Sequence, residues 1–116
     1  MTPRIRHTAL IALFSSVLWM GQARAEDALV KIDSPADGEK LSAGKASKVD
    51  YEVAEGTKAH HVHLFVDGAE AATGHKLRGS FALGPLKAGE HKVCVTPVNK
   101  NHTPIGAQAC ITVTAQ

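Results

Sequence analysis

The chain has 116 residues, 44% of them apolar and 21% charged, with a formal charge of +2 at pH 7. Setting aside Arg4, Arg6 and Arg24 of the N-terminal leader described next leaves 10 Lys and Arg against 11 Asp and Glu, about −1. That balance offers no basic stripe for nucleic acid, and no helix carries the basic amphipathic face of a membrane-surface segment.

Arg4 and Arg6 precede an apolar run from Thr8 to Met20, and Ala23-Arg24-Ala25 is a small-x-small cleavage site. Residues 1–25 therefore read as a secretory signal peptide, and the protein is expected to be periplasmic or secreted and to begin at Glu26. No cysteine stands at the cleavage point to carry a lipid, and no later apolar run reaches the roughly 20 residues that span a bilayer. Residues 26–116 form one expected domain, since neither a repeat nor a linker divides them. At that length a single core is only moderately stabilising.

Short alternating segments then predict strands at Leu29 to Ile32, Lys48 to Ala54, His60 to Val66, Ser80 to Leu83, His91 to Val98 and Ala107 to Thr114. Weaker strand signals lie at Glu39 to Leu41 and Lys76 to Leu77. The separators, Ser34 to Gly38, Glu55-Gly56, Asp67-Gly68, Gly84-Pro85 and Ala88-Gly89, are rich in turn formers. Ala69 to Thr73 is too short for a helix and runs into Gly74. Strands at this spacing point to an all-β sandwich.

Three motifs sharpen the reading: I-D-S-P-A-D-G at Ile32 to Gly38, F-V-D-G closing a strand at Phe65 to Gly68, and L-x-x-G-x-H from Leu86 to His91. Together they resemble the bacterial immunoglobulin-like domains of exported proteins. The resemblance implies an antiparallel immunoglobulin-like β-sandwich of about seven strands, with Gly89 at a corner and His91 in a structural place. It also implies a non-catalytic binding or structural role, whose partner, an unknown protein or small ligand, is not encoded in these motifs.

Cys94 and Cys110 lie in the last two predicted strands, and export favours a disulfide between them. Pairing them centres the hairpin turn at His102 and turns Val93, Val95, Ile111 and Val113 to the core. Directly opposed residues in an antiparallel ladder are close enough for a bridge. Closing a loop of about 17 residues would contribute on the order of 3 kcal/mol. Free thiols, the alternative, would be soft ligands for Cu⁺ or Zn²⁺.

The stretch Ala59 to Gly68, AHHVHLFVDG, carries the chemistry. Val62, Leu64 and Val66 alternate with His61, His63 and Phe65, so one strand face is apolar and the other bears two imidazoles. Residues i and i+2 lie roughly 6.6 Å apart on one face, close enough for both rings to reach one copper or zinc ion. Two groupings are open: His61 with His63 on the sheet face, or His60 or His61 with His102 at the loop end. The competing reading makes the imidazoles half-buried surface residues bonded to backbone or hydroxyl groups, and places His75 and His91 in structural or solvated positions. His61-Val62-His63 is also similar to the copper-ligand strand of Cu/Zn superoxide dismutase. A redox enzyme of that kind is the weaker expectation, because the chain has neither that family's long zinc loop nor an arginine beyond Arg78 after the leader. Ser80 lacks the G-x-S-x-G elbow, and no phosphate loop precedes a helix.

Overall fold

The structure, a computed structural model, describes residues 29–116; the leader expected at residues 1–25 lies outside that range. Eight strands make two sheets: β1 (Val30–Ser34), β2 (Lys40–Leu41), β3 (Ser47–Val53), β4 (His61–Val66), β5 (Ala69–Gly74), β6 (Arg78–Leu83), β7 (Gly89–Val98) and β8 (Ala109–Ala115). The three-stranded sheet runs β1-β3-β6 and the five-stranded sheet β2-β8-β7-β4-β5. All pairings are antiparallel except the short β2–β8 pair. Among the described residues no helix is long and apolar enough to cross a membrane.

Alternation decides which side chains meet between the sheets. Val49, Tyr51, Val53, Phe81 and Leu83 of the small sheet face Val62, Leu64, Val93, Val95, Ile111 and Val113 of the large one. The Tyr51 and Phe81 rings stack at 4.7 Å. Leu64 is fully buried and shows why register matters, since a slip of one residue along β4 would exchange it for an imidazole. Cys94 pairs with Cys110 across β7 and β8, and a disulfide joins them on the face opposite Val93 and Val95. Asp37 ties the preceding loop to β8 by accepting from the Thr112 N–H at 2.8 Å.

Two expectations need correction. Ala69 to Thr73 belongs to an edge strand, β5, although Ala and Glu are poor strand formers. The Asp67-Gly68 turn and the ladder to β4 override that propensity, with both turn residues at positive φ, 52° and 83°. Lys76 to Leu77, in contrast, is a crossing between the sheets and not a strand. Tyr51 Oη donates to the Lys76 carbonyl at 2.7 Å, and the Val53 N–H donates to the Leu77 carbonyl at 2.6 Å. The eight strands agree with the expected sandwich of about seven.

His91 secures the β4–β5 turn. Its Nδ1 donates to Asp67 Oδ2 at 2.6 Å and its Nε2 to the Lys87 carbonyl at 2.7 Å, while Asp67 Oδ1 accepts from the Lys92 N–H at 2.9 Å. Two donating nitrogens require the imidazolium. The Asp67 carboxylate and then the Lys87 carbonyl raise the His91 pKa above its ordinary value, and the hydrogen bonds from His91 and the Lys92 N–H lower that of Asp67.

Two outcomes follow for stability. Leu64→Ala should lower unfolding free energy by about 2–5 kcal/mol in denaturant titration, through lost burial and a residual cavity. The His91–Asp67 pair should stabilise the fold above the ordinary Asp range near 3.8 and below the ordinary His range near 6.5. Its contribution fades as pH falls through the depressed Asp67 value or rises through the elevated His91 value. The melting-temperature difference between wild type and His91→Gln, followed against pH, should therefore be widest between about pH 4 and 6.5 and narrow at pH 9.

Candidate metal centre

The β4–β7 ladder builds the floor of the site. Pairing His61 with Val98, His63 with Thr96 and Phe65 with Cys94 sets these residues on the outer face of the large sheet, since Val62 and Leu64 take the inner one. The chain after β7 folds back over this face. Asn99 N–H donates to the Thr103 carbonyl at 2.8 Å, Ile105 N–H to the Pro97 carbonyl at 3.2 Å, and Pro104 bridges to Val98. That cover leaves His61 only 2% and His63 only 6% exposed, where the sequence suggested half-buried rings.

His102 sits on the covering loop at φ 63°, a left-handed conformation uncommon for residues with a Cβ. Its N–H donates to the Asn99 carbonyl at 3.0 Å, and the Asn99 Oδ1 accepts from the Asn101 and Thr103 N–H groups. The loop so shaped carries the ring back to β4. His61 Nε2 lies 3.0 Å from His63 Nε2 and 3.1 Å from His102 Nδ1, and the third edge, His102 Nδ1 to His63 Nε2, is 3.3 Å. The structure thus merges the two groupings left open by the sequence, uniting His61, His63 and His102. His60 stays outside this triangle and meets the other nitrogen of His61, Nδ1 to Nδ1 at 3.0 Å.

Hydrogen bonding alone cannot satisfy such a triangle. Each imidazole nitrogen presents either a hydrogen or a lone pair, and a hydrogen bond joins one of each. Around three mutually adjacent atoms that alternation fails, so at least one edge opposes two lone pairs or two hydrogens. A cation held by three lone pairs removes the conflict. Its geometry also fits: bonds of about 2.0–2.1 Å to three imidazoles in a tetrahedral set space the nitrogens roughly 3.3–3.4 Å apart, within a few tenths of an ångström of the observed edges.

The surroundings of His61 favour its neutral, ligating form. Burial, followed by the neighbouring imidazoles of His102, His63, His60 and His75, lowers the His61 pKa below its ordinary value. His63 Nδ1 lies 3.4 Å from Glu70 Oε1, which also accepts from Thr73 Oγ1 at 3.0 Å. The carboxylate stands beside Nδ1 while Nε2 faces the triangle, a placement like the carboxylate–histidine arrangement common behind metal ligands. A bulge in β5 makes this contact. His63 pairs with Thr73 and Phe65 with Glu70, so Ala71 is the extra residue that lets Glu70 and Thr73 share a face three positions apart.

Glu70 and His75 had no place in the site read from the sequence. The His75 ring lies 5.5 Å from that of His61, nearly parallel at 28°, and 6.2 Å from that of His60. The signal for it was the Asp67-Gly68 turn: with β5 paired back on β4, Val62 meets Gly74, and the next position sets His75 beside His61. His91 lies elsewhere, at the β4–β5 turn. Ser80 donates to Asp50 on the small sheet, where Asp50 also accepts from Ser34.

No protein-family model matches the chain, and no match was found among curated proteins. Solved structures do resemble it. Fibronectin(III)-like modules from Clostridium thermocellum match with a TM-score of 0.61 at 15% identity, covering 75% of this chain and 95% of theirs. A CARDB domain from Pyrococcus furiosus gives 0.50 at 16% identity over 74% and 91%. A lytic polysaccharide monooxygenase from Jonesia denitrificans gives 0.51 at 12% identity over 79% and 80%. At these identities the likeness defines the fold. The protein is an immunoglobulin-like β-sandwich.

The conflict within the triangle predicts an unusual substitution. In EDTA, His102→Gln should leave the melting temperature unchanged or raise it, corresponding to no loss beyond about 0.5 kcal/mol, because it removes one corner of an unsatisfiable ring. A loss of 2 kcal/mol or more would show that the three imidazoles are a satisfied hydrogen-bond network.

Proposed function

We propose that this immunoglobulin-like domain acts outside the cytoplasm as a non-catalytic binder of a copper or zinc ion through His61, His63 and His102. The observation that carries the reading is the triangle of ring nitrogens at 3.0, 3.1 and 3.3 Å around two buried imidazoles. Glu70 behind His63 supports it. The leader read at residues 1–25 and the Cys94–Cys110 disulfide support an oxidising compartment.

Three imidazoles fill three positions of a tetrahedral ion and leave one for water or a ligand from elsewhere. His102 is exposed, so that position opens toward solvent. Imidazole suits both ions, and for a given ligand set Cu²⁺ binds more tightly than Zn²⁺. The domain would therefore take copper from an equimolar mixture. No catalytic step enters this reading.

Melting in the presence of metal tests it. At pH 7.5 Cu²⁺ or Zn²⁺ at a hundredfold excess over its dissociation constant should stabilise the fold by about 2.7 kcal/mol. The gain should shrink below about pH 6 as protons compete for the ring nitrogens. A combined His61→Gln and His63→Gln variant should lose the gain. An unshifted wild-type melting curve, or a full shift in the variant, would overturn the proposal.

A further inference from the structure

His61 uses its two ring nitrogens differently from the other imidazoles. Nε2 belongs to the triangle, whereas Nδ1 points away from it and lies 3.0 Å from His60 Nδ1. The His75 ring stands beside both, at 5.5 Å from the His61 centroid and 6.2 Å from that of His60. Five of the chain's 7 histidines thus gather around one ring: His63 and His102 on its Nε2 side, His60 on its Nδ1 side, and His75 stacked against it.

Three facts separate His60 and His75 from ordinary surface histidines. His60 and His75 are exposed, so metal reaches them directly from solvent. They arrive from different elements, His60 from the residue before β4 and His75 from the crossing after β5. Gly74 brings that crossing in close: a Cβ there would lie 3.0 Å from Tyr51 Oη and 3.1 Å from Phe81 Cε1. The backbone at Gly74 is therefore seated against the Tyr51 and Phe81 rings of the small sheet.

We infer that His60, His61 and His75 form a second copper site, so that two Cu²⁺ ions are held on either side of the His61 ring and share it as a bridging ligand. The inference rests on the first site at His61, His63 and His102. The first ion takes Nε2 of His61. The second takes Nδ1, displacing that ring's proton to solvent, together with His60 Nδ1 and a ring nitrogen of His75, which turns inward from its stacked position. The inner ion has two buried ligands, while the outer has two exposed ones and fills second. Such a ring transmits magnetic coupling between the ions, which distinguishes a shared ligand from two unrelated sites.

The test is a Cu²⁺ titration of the purified protein followed by elemental analysis and low-temperature electron paramagnetic resonance. Integrated intensity should rise to one equivalent as an isolated Cu²⁺ signal. It should then fall toward zero at the second equivalent, with a half-field transition. His60→Gln and His75→Gln should each keep the first-equivalent spectrum and bind no coupled second ion. Binding of a single equivalent, a second equivalent that adds intensity in proportion, or a coupled pair that persists in either variant would overturn the second site alone. Failure to bind any copper, or a first-equivalent spectrum unchanged by His61→Gln, would overturn the first site and with it the second.

Discussion

The antiparallel ladder between β4 and β7 is the constraint on which the rest of the molecule depends. It lies inside the five-stranded sheet, with β5 on one side and β8 on the other. Its register assigns each residue of H-V-H-L-F-V to a face, with Val62 and Leu64 inward, where they meet Val93, Val95 and the small sheet. The same register sends His61, His63 and Phe65 outward beside Val98, Thr96 and Cys94. Hydrophobic burial on one face therefore holds the imidazoles in position on the other. A domain of this size has few kilocalories per mole to spare, and here the residues that stabilise the core also order the site.

Burying polar rings normally demands that each find a complementary partner. His61 meets that demand at Nδ1 through His60, and His63 Nδ1 lies beside the Glu70 carboxylate. At the shared centre the demand fails, because three ring nitrogens face each other and at least one pair of them must oppose two lone pairs or two hydrogens. The cover that encloses them is itself well bonded: Asn99 accepts twice within the loop, and Ile105 is tied to Pro97. The polar conflict thus sits at atoms able to bind a cation, while the loop that covers them is hydrogen-bonded. Structural histidines show the opposite pattern, as His91 does with a carboxylate on one nitrogen and a carbonyl on the other.

Much of this was legible in the sequence because it depends on period-2 alternation. The faces of β4, the inward set of β7 and β8, the pairing of Cys94 with Cys110 and the place of His102 at the hairpin turn all follow from that periodicity and one register. The site was only partly legible, for reasons that are local. Ala69 to Gly74 has a single β-branched residue, Thr73, among Ala, Glu and Gly, so little in its composition announced a strand, and without β5 neither Glu70 nor His75 approaches β4. The bulge at Ala71 is a departure from periodicity and has no signature in a run of small residues. Burial of His61 and His63 depends on a loop folding back, which is decided by backbone hydrogen bonds that side-chain patterning does not encode.

The crossing from Gly74 to Leu77 is attached to the opposite sheet, through Tyr51 Oη on the Lys76 carbonyl and Val53 on the Leu77 carbonyl. His75 therefore sits between Gly74, paired in the large sheet, and Lys76, held by the small one, whereas His61, His63 and His102 ride on the large sheet. Any sliding of one sheet over the other would be registered as a change in the spacing of imidazoles, and a ligand gripping both groups would act as a brake on that shear.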